Sequence, residues 1–155
     1  VTNEQTDPQQ HESAGAWAKK YHMASRLVME SVLRPYDLGP TQWYVLHQLA
    51  HAGPTPQRDL VRLLHVERAT LTGVVAALVR KGLVEQTPDS TDQRQKVLTM
   101  TPAGAALWRK LPDPIALILK TAFDGVPQTD IDTTTRVLRT ATGRLTNRLS
   151  ESKET

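Results

Sequence analysis

From about His11 to Arg34 the apolar and small residues Ala14, Trp17, Tyr21, Ala24, Val28 and Val32 recur at intervals of three and four. That spacing predicts a helix with one apolar face. Pro35 and the Leu38-Gly39-Pro40 group end it. A second helix is expected from Thr41, a capping residue, to about His51, burying Trp43, Leu46, Leu49 and Ala50. A third is expected to start at Thr55-Pro56, a cap followed by a proline in the first turn, and to bury Leu60, Leu63 and Leu64. The short link His65-Val66-Glu67 leads into a fourth, from Arg68 to Lys81, with Leu71, Val74, Val75 and Leu78 as its apolar stripe. Arg68, Thr70, Thr72, Gly73, Ala76 and Arg80 are left pointing outward.

After Gly82, which is placed to cap that helix, the period changes from helical to alternating. Leu83 to Gln86 and Lys96 to Thr101 read as two strands joined by the polar loop Thr87 to Gln95, and Thr101-Pro102 starts a helix again. The helical pattern continues to about Phe123, but Pro112 and Pro114 predict a kink or break near Leu111. The last helix, about Thr129 to Ser150, repeats Ile131, Leu138 and Leu145 every seventh residue, the mark of a packing stripe. Residues 1–10 are polar and expected to be disordered.

Composition narrows the function classes. With 155 residues the chain has room for one small domain and an association element. No apolar run approaches the ~20 residues of a membrane helix. The polar, acidic start VTNEQTDPQQHESAG does not read as an export signal, so a cytoplasmic location is expected. The absence of cysteine removes disulfides, thiolate metal sites and thiol redox sensing. Net charge is only +3, yet eight Lys or Arg face five Asp or Glu between Arg58 and Arg109, at helix ends and a loop tip.

Helices followed by a two-stranded hairpin, two of them joined by a tight turn, describe a helix-turn-helix with a wing. The small and hydroxyl side chains Thr70, Thr72, Gly73 and Ala76 permit close approach to base edges, and Arg68 can reach guanine or phosphate. The run Asp92-x-Arg94-x-Lys96-x-Leu98-x-Met100-Thr101-Pro102-x-Gly104 resembles the wing signature of MarR-type transcriptional regulators. Arg80-Lys81-Gly82-Leu83-Val84, Leu38-Gly39-Pro40-Thr41-Gln42-Trp43 and Val45-Leu46 are similar to the same family at matching places, so the resemblance extends from about Trp17 to Leu149. Ala76-Ala77 departs from it, standing where family members often carry an acidic and a basic residue.

The resemblance implies a mainly α fold with a β-hairpin wing. The winged helix-turn-helix would span residues 37–101, and residues 11–36 and 102–150 would form a helical dimerisation region from the first, fifth and sixth helices. It also implies a homodimer that acts as a repressor on double-stranded DNA, each subunit placing one recognition helix in successive major grooves about 10 bp apart. The implied DNA-contacting set is Arg68, Thr70, Thr72, Gly73, Arg80, Asp92, Arg94 and Lys96. Arg94 would enter the flanking minor groove, and Asp92 would hold the turn that presents it. Many such proteins release DNA on binding a small aromatic or anionic effector, for which Trp17, Tyr21, His22, Met23, Trp43, His47 and Trp108 are the candidate lining.

No cofactor is expected. His47 and His51 have the i, i+4 spacing of metal ligands without an obvious third, so no metal site is assigned. The chain has no nucleophile elbow, phosphate loop, His-Glu-x-x-His motif or cysteine nucleophile, so an enzyme is not expected. The competing reading is a helical protein–protein interaction module, which leaves the arginine-bearing wing without a purpose.

Overall fold

The computed structural model describes residues 11–153, so the tail 1–10 lies outside the described residues. Helix α1 runs Ala14–Leu33, α2 Pro40–Ala52, α3 Gln57–Leu64 and α4 Arg68–Arg80. Strands β2 (Val84–Pro88) and β3 (Lys96–Met100) follow, then α5 (Pro102–Lys110), α6 (Pro114–Ala122) and α7 (Gln128–Glu151). A two-residue strand β1, Thr55–Pro56, completes an antiparallel sheet of order β1-β3-β2. The chain divides into two units, one reaching to Ile115 and the other beginning at Ala116.

The first unit holds the winged helix-turn-helix. Leu33, Leu46, Leu60, Leu71, Leu78 and Leu98 are wholly buried, so α1, α2, α3, α4 and β3 each contribute to one core. Helix α4 buries Leu71, Val75 and Leu78 at the expected spacing. Its C-terminus is closed by Gly82 at φ 70°, whose N–H reaches the Val79 carbonyl at 2.9 Å.

Several boundaries differ from expectation, each for a local reason. Helix α2 begins one residue earlier than expected, with Pro40 in its first turn and Gly39 as its cap. Gln42, rather than Thr41, satisfies that end by accepting the Gly39 N–H at 3.2 Å. Thr55-Pro56 does not start α3. Thr55 pairs with Leu98 and Pro56 with Val97, so both stand in a strand, and α3 begins only at Gln57 with Pro56 in the cap position. Ala50 and Leu63 are exposed, and Val45 takes a core place in α2. The proline pair produces a full break: α5 stops at Lys110 and α6 starts at Pro114. The largest difference is in α1, whose buried residues are Met29 and Leu33, while Trp17 (51% exposed), Tyr21 and Val28 face outward.

Helix α5 is seated against the end of α4. Thr101 accepts the Gly104 N–H at 3.0 Å, as a cap should, and donates its hydroxyl to the Gly82 carbonyl at 2.6 Å. The backbone N–H of Thr101 meets the Leu83 carbonyl at 3.1 Å. This approach is close because Gly104 has no side chain: a Cβ there would lie 2.2 Å from the Leu83 carbonyl oxygen.

In the second unit no residue of α7 is buried. Thr134, Thr135, Thr142 and Thr146 each turn the hydroxyl back to the carbonyl four residues earlier, at 2.8–3.0 Å.

Because the obstacle at Gly104 is backbone, it cannot swing aside. Gly104→Ala is expected to destabilise the protein by about 3 kcal/mol, the scale of overpacking in a tight core. Thermal unfolding followed by circular dichroism should register a drop of about 10 °C; an unchanged midpoint would contradict the contact.

Candidate nucleic-acid interface

Helix α4 presents its polar face to solvent because its apolar stripe is fully used in the core. Arg68, Thr70, Thr72, Gly73, Ala76 and Arg80 are all exposed. Arg68 stands in the first turn, after the Glu67 cap, where an outward side chain projects beyond the helix end. Thr72 donates its hydroxyl to the Arg68 carbonyl at 2.9 Å, which turns its methyl and oxygen lone pairs outward.

The wing is an ordered turn on a short hairpin whose register runs from Val84 opposite Met100 to Pro88 opposite Lys96. Beyond it the Asp89 N–H bonds the Gln95 carbonyl and the Gln95 N–H bonds the Asp92 carbonyl, both at 2.9 Å. The Asp92 carboxylate accepts the backbone N–H of Arg94 at 3.0 Å, so Asp92 shapes the turn through the Arg94 main chain. Arg94 and Lys96 are exposed, at the tip and on the first residue of β3. Asp89 accepts the Thr91 N–H at 2.9 Å and hydroxyl at 3.0 Å. These bonds, the backbone one first, hold its carboxyl below the usual range, with a smaller contribution from nearby Arg58.

Two ties orient the wing, and the sequence reading anticipated neither. Gln86 on β2 donates to Gln57 of α3 at 2.7 Å, and β1 pairs along β3. Helix α3 also exposes Arg58 and Arg62, which share Asp59 as a partner at 3.9 and 2.6 Å. Their i, i+4 spacing was the available signal for a second basic face beside α4.

The candidate effector residues separate into two groups. Trp43, His47 and Trp108 come together: Trp43 stacks on His47 at 4.9 Å between ring centroids, and Trp108 of α5 lies 5.5 Å from Trp43 and 5.9 Å from His47. His51 extends the row 4.2 Å beyond His47. Trp43 is 3% exposed, and its indole N–H is buried without a hydrogen-bond partner. Trp17, Tyr21, His22 and Met23 are exposed on α1, where Trp17 bonds Glu12 at 3.1 Å and carries the Lys20 ammonium over its ring. Among the described residues no group of three His, Asp or Glu side chains is arranged to hold a metal ion. Among them, too, no helix is long and apolar enough to cross a membrane.

Residues 36–95, from the corner before α2 to the wing tip, match the family model described as "MarR family". Over those residues the chain is similar to the MarR family. Its stretch of 76 residues is 38% identical to the transcriptional activatory protein BadR of Rhodopseudomonas palustris, covering 47% of this chain and 43% of that protein. A stretch of 89 residues is 32% identical to the transcriptional repressor NicR of Pseudomonas putida, covering 57% of this chain and 56% of that one. The matched part thus spans about half the length of these curated relatives. Among solved structures, a MarR mutant from E. coli complexed with operator DNA superposes with a TM-score of 0.72 at 22% identity, covering 82% of this chain and 91% of that one. BpsR of Bordetella bronchiseptica superposes with a TM-score of 0.75 at 23% identity over 85% and 94% of the two chains. These two likenesses establish the winged-helix fold.

The His47 row carries a pH signature. Partial burial pushes the His47 imidazole below its ordinary value of 6.5, the neighbouring His51 adds to this, and Asp113 opposes it. A base whose folded pKa is depressed takes up fewer protons than the unfolded chain. The stability it contributes is therefore full above about pH 6.5 and is lost as pH falls through the folded value. The melting temperature should decline between pH 7 and 5 more steeply in the wild type than in His47→Leu; parallel declines would count against this role.

Proposed function

We propose that this chain is a homodimeric repressor of the MarR family that binds a pseudo-palindromic operator, with α4 in the major groove and the wing in the flanking minor groove. The observation that carries the DNA reading is the division of labour in α4: one face is spent on the core, and the other offers arginines flanking threonines and Gly73, beside a wing tipped by Arg94. Arg68, Thr70, Thr72 and Gly73 read bases, Arg80 and Lys96 meet phosphates, and Asp92 holds the turn that delivers Arg94. The operator-bound E. coli relative supports this assignment. Repression needs only occlusion of a promoter, whereas activation needs a further surface for polymerase.

Residues 11–36 and 102–150 supply the dimer contacts in this reading. Its support is the apolar surface left uncovered: Trp17, Leu27 and Val28 on α1, and Val137, Leu138, Leu145 and Leu149 on α7, the last two 67% and 66% exposed. A small aromatic or anionic effector, contacting Trp43, His47 and Trp108, releases the DNA. The unpartnered Trp43 N–H supports an acceptor at that place, and regulation of BpsR by 6-hydroxynicotinic acid is a parallel in a protein of the same fold.

Purified protein should retard a fragment of its own promoter region at low salt, with affinity falling steeply as salt rises. No retardation of any adjoining intergenic DNA would overturn the reading. Arg94→Ala should weaken operator binding about tenfold, the scale of one lost specific arginine contact, with an unchanged melting temperature; wild-type affinity would remove the wing from the interface. Leu138→Asp should sediment as a monomer and lose operator binding with it, and a dimeric variant would refute the α7 stripe.

A further inference from the structure

We propose that Lys81 is a positioning residue for DNA recognition, a latch between the end of α4 and the corner joining α1 to α2; this rests on the DNA-binding reading above. Lys81 caps α4, and its backbone N–H still bonds the Ala77 carbonyl at 3.0 Å, so it moves with the helix. Its ammonium donates to the Asp37 carbonyl and, at 3.1 Å, to the Gln42 side-chain oxygen. That oxygen also accepts the Gly39 N–H, so one atom joins the cap of α2 to the end of α4. The Asp37 carboxylate stands 3.6 Å away and is 94% exposed, against 28% for the Lys81 side chain.

Magnitudes say which of these contacts matters. An ion pair to a carboxylate this exposed contributes little, while hydrogen bonds from an ammonium to a carbonyl and an amide are charge-assisted and stronger. The receiving corner is also stiff. A 3-10 turn, Arg34–Tyr36 with Pro35 at its centre, follows α1 directly, Asp37 is left-handed at φ 55° with its N–H on the Arg34 carbonyl at 3.1 Å, and Leu38 is buried. On the other side, the Thr101 hydroxyl holds Gly82, the next residue. The end of α4 is therefore clamped between the α1–α2 corner and the start of α5. The apolar stripe decides that α4 packs against the core, and the clamp decides where along that surface it stops. Lys81 spends its hydrogen bonds inside the protein, so it acts on DNA through the outward side chains of α4.

The test compares Lys81→Met, Gln42→Met and Gln42→Glu with wild type, well below each melting temperature. The probes are a duplex selected by the wild-type protein from a randomised pool and a random duplex of equal length. Lys81→Met and Gln42→Met should each weaken binding to the selected duplex about tenfold, the scale of a charge-assisted hydrogen bond, and the double variant should lose little more than either. Gln42→Glu, which keeps the acceptor, should retain wild-type affinity. Random-duplex affinity and the salt slope should not change in any of them. Undiminished affinity of Lys81→Met for the selected duplex would overturn the latch, and so would a salt slope shallower by about one, which marks a lost phosphate contact. Failure of the wild type to select any duplex would instead overturn the DNA-binding reading.

Discussion

A carbon atom cannot stand where Gly104 meets the Leu83 carbonyl, and the winged helix-turn-helix lobe is organised around that close approach. The chain leaves α4 at Gly82, travels out through the wing, and returns at Thr101 to the place it left. There one threonine closes the circuit with its hydroxyl on Gly82, its N–H on Leu83 and its oxygen on the first turn of α5. A wing otherwise held by a five-residue strand on each side thereby has its base fixed to the end of α4. A short hairpin alone would be marginal in water; its third strand and its return to α4 supply the missing constraint.

The same economy governs the polar groups. Asp92, Asp89 and Gln42 all spend side-chain acceptors on backbone N–H groups nearby, ordering the turns and caps that position charged neighbours. The arginines of the wing tip and of the outer face of α4 remain exposed. The Trp43 N–H is the exception, a buried donor without an acceptor in a lobe that otherwise pairs its polar atoms closely.

What the sequence made legible follows the reach of each interaction. Periodicity found α4 and its outward face, because Leu71, Val75 and Leu78 need only each other to define a stripe. The cap at Thr101 and the break at Pro112 and Pro114 were equally local. Thr55-Pro56 misled because the same residues that can open a helix can pair with Leu98, more than forty positions away, and only the folded sheet decides between them. In α1 the longest apolar row, through Trp17, Tyr21 and Val28, is not the row that the folded chain buries; periodicity reports a face without saying what covers it. The bond from Lys81 to the Asp37 carbonyl spans 44 positions and ends on a main-chain oxygen, so no residue type could have announced it.

Helix α7 shows how composition can mislead about a surface. Its threonines count as polar, yet in the folded chain Thr134, Thr135, Thr142 and Thr146 direct their hydroxyl protons into their own helix. Each then shows its surroundings a methyl group much as valine would, and holds its neighbouring water correspondingly weakly. Among these threonines the exposed Leu138, Leu145 and Leu149 lie on ground that sheds its hydration at small cost. The helix can stay wetted while it stands alone and dry readily against an apolar surface, a balance that a stripe of bare leucine and valine would not keep.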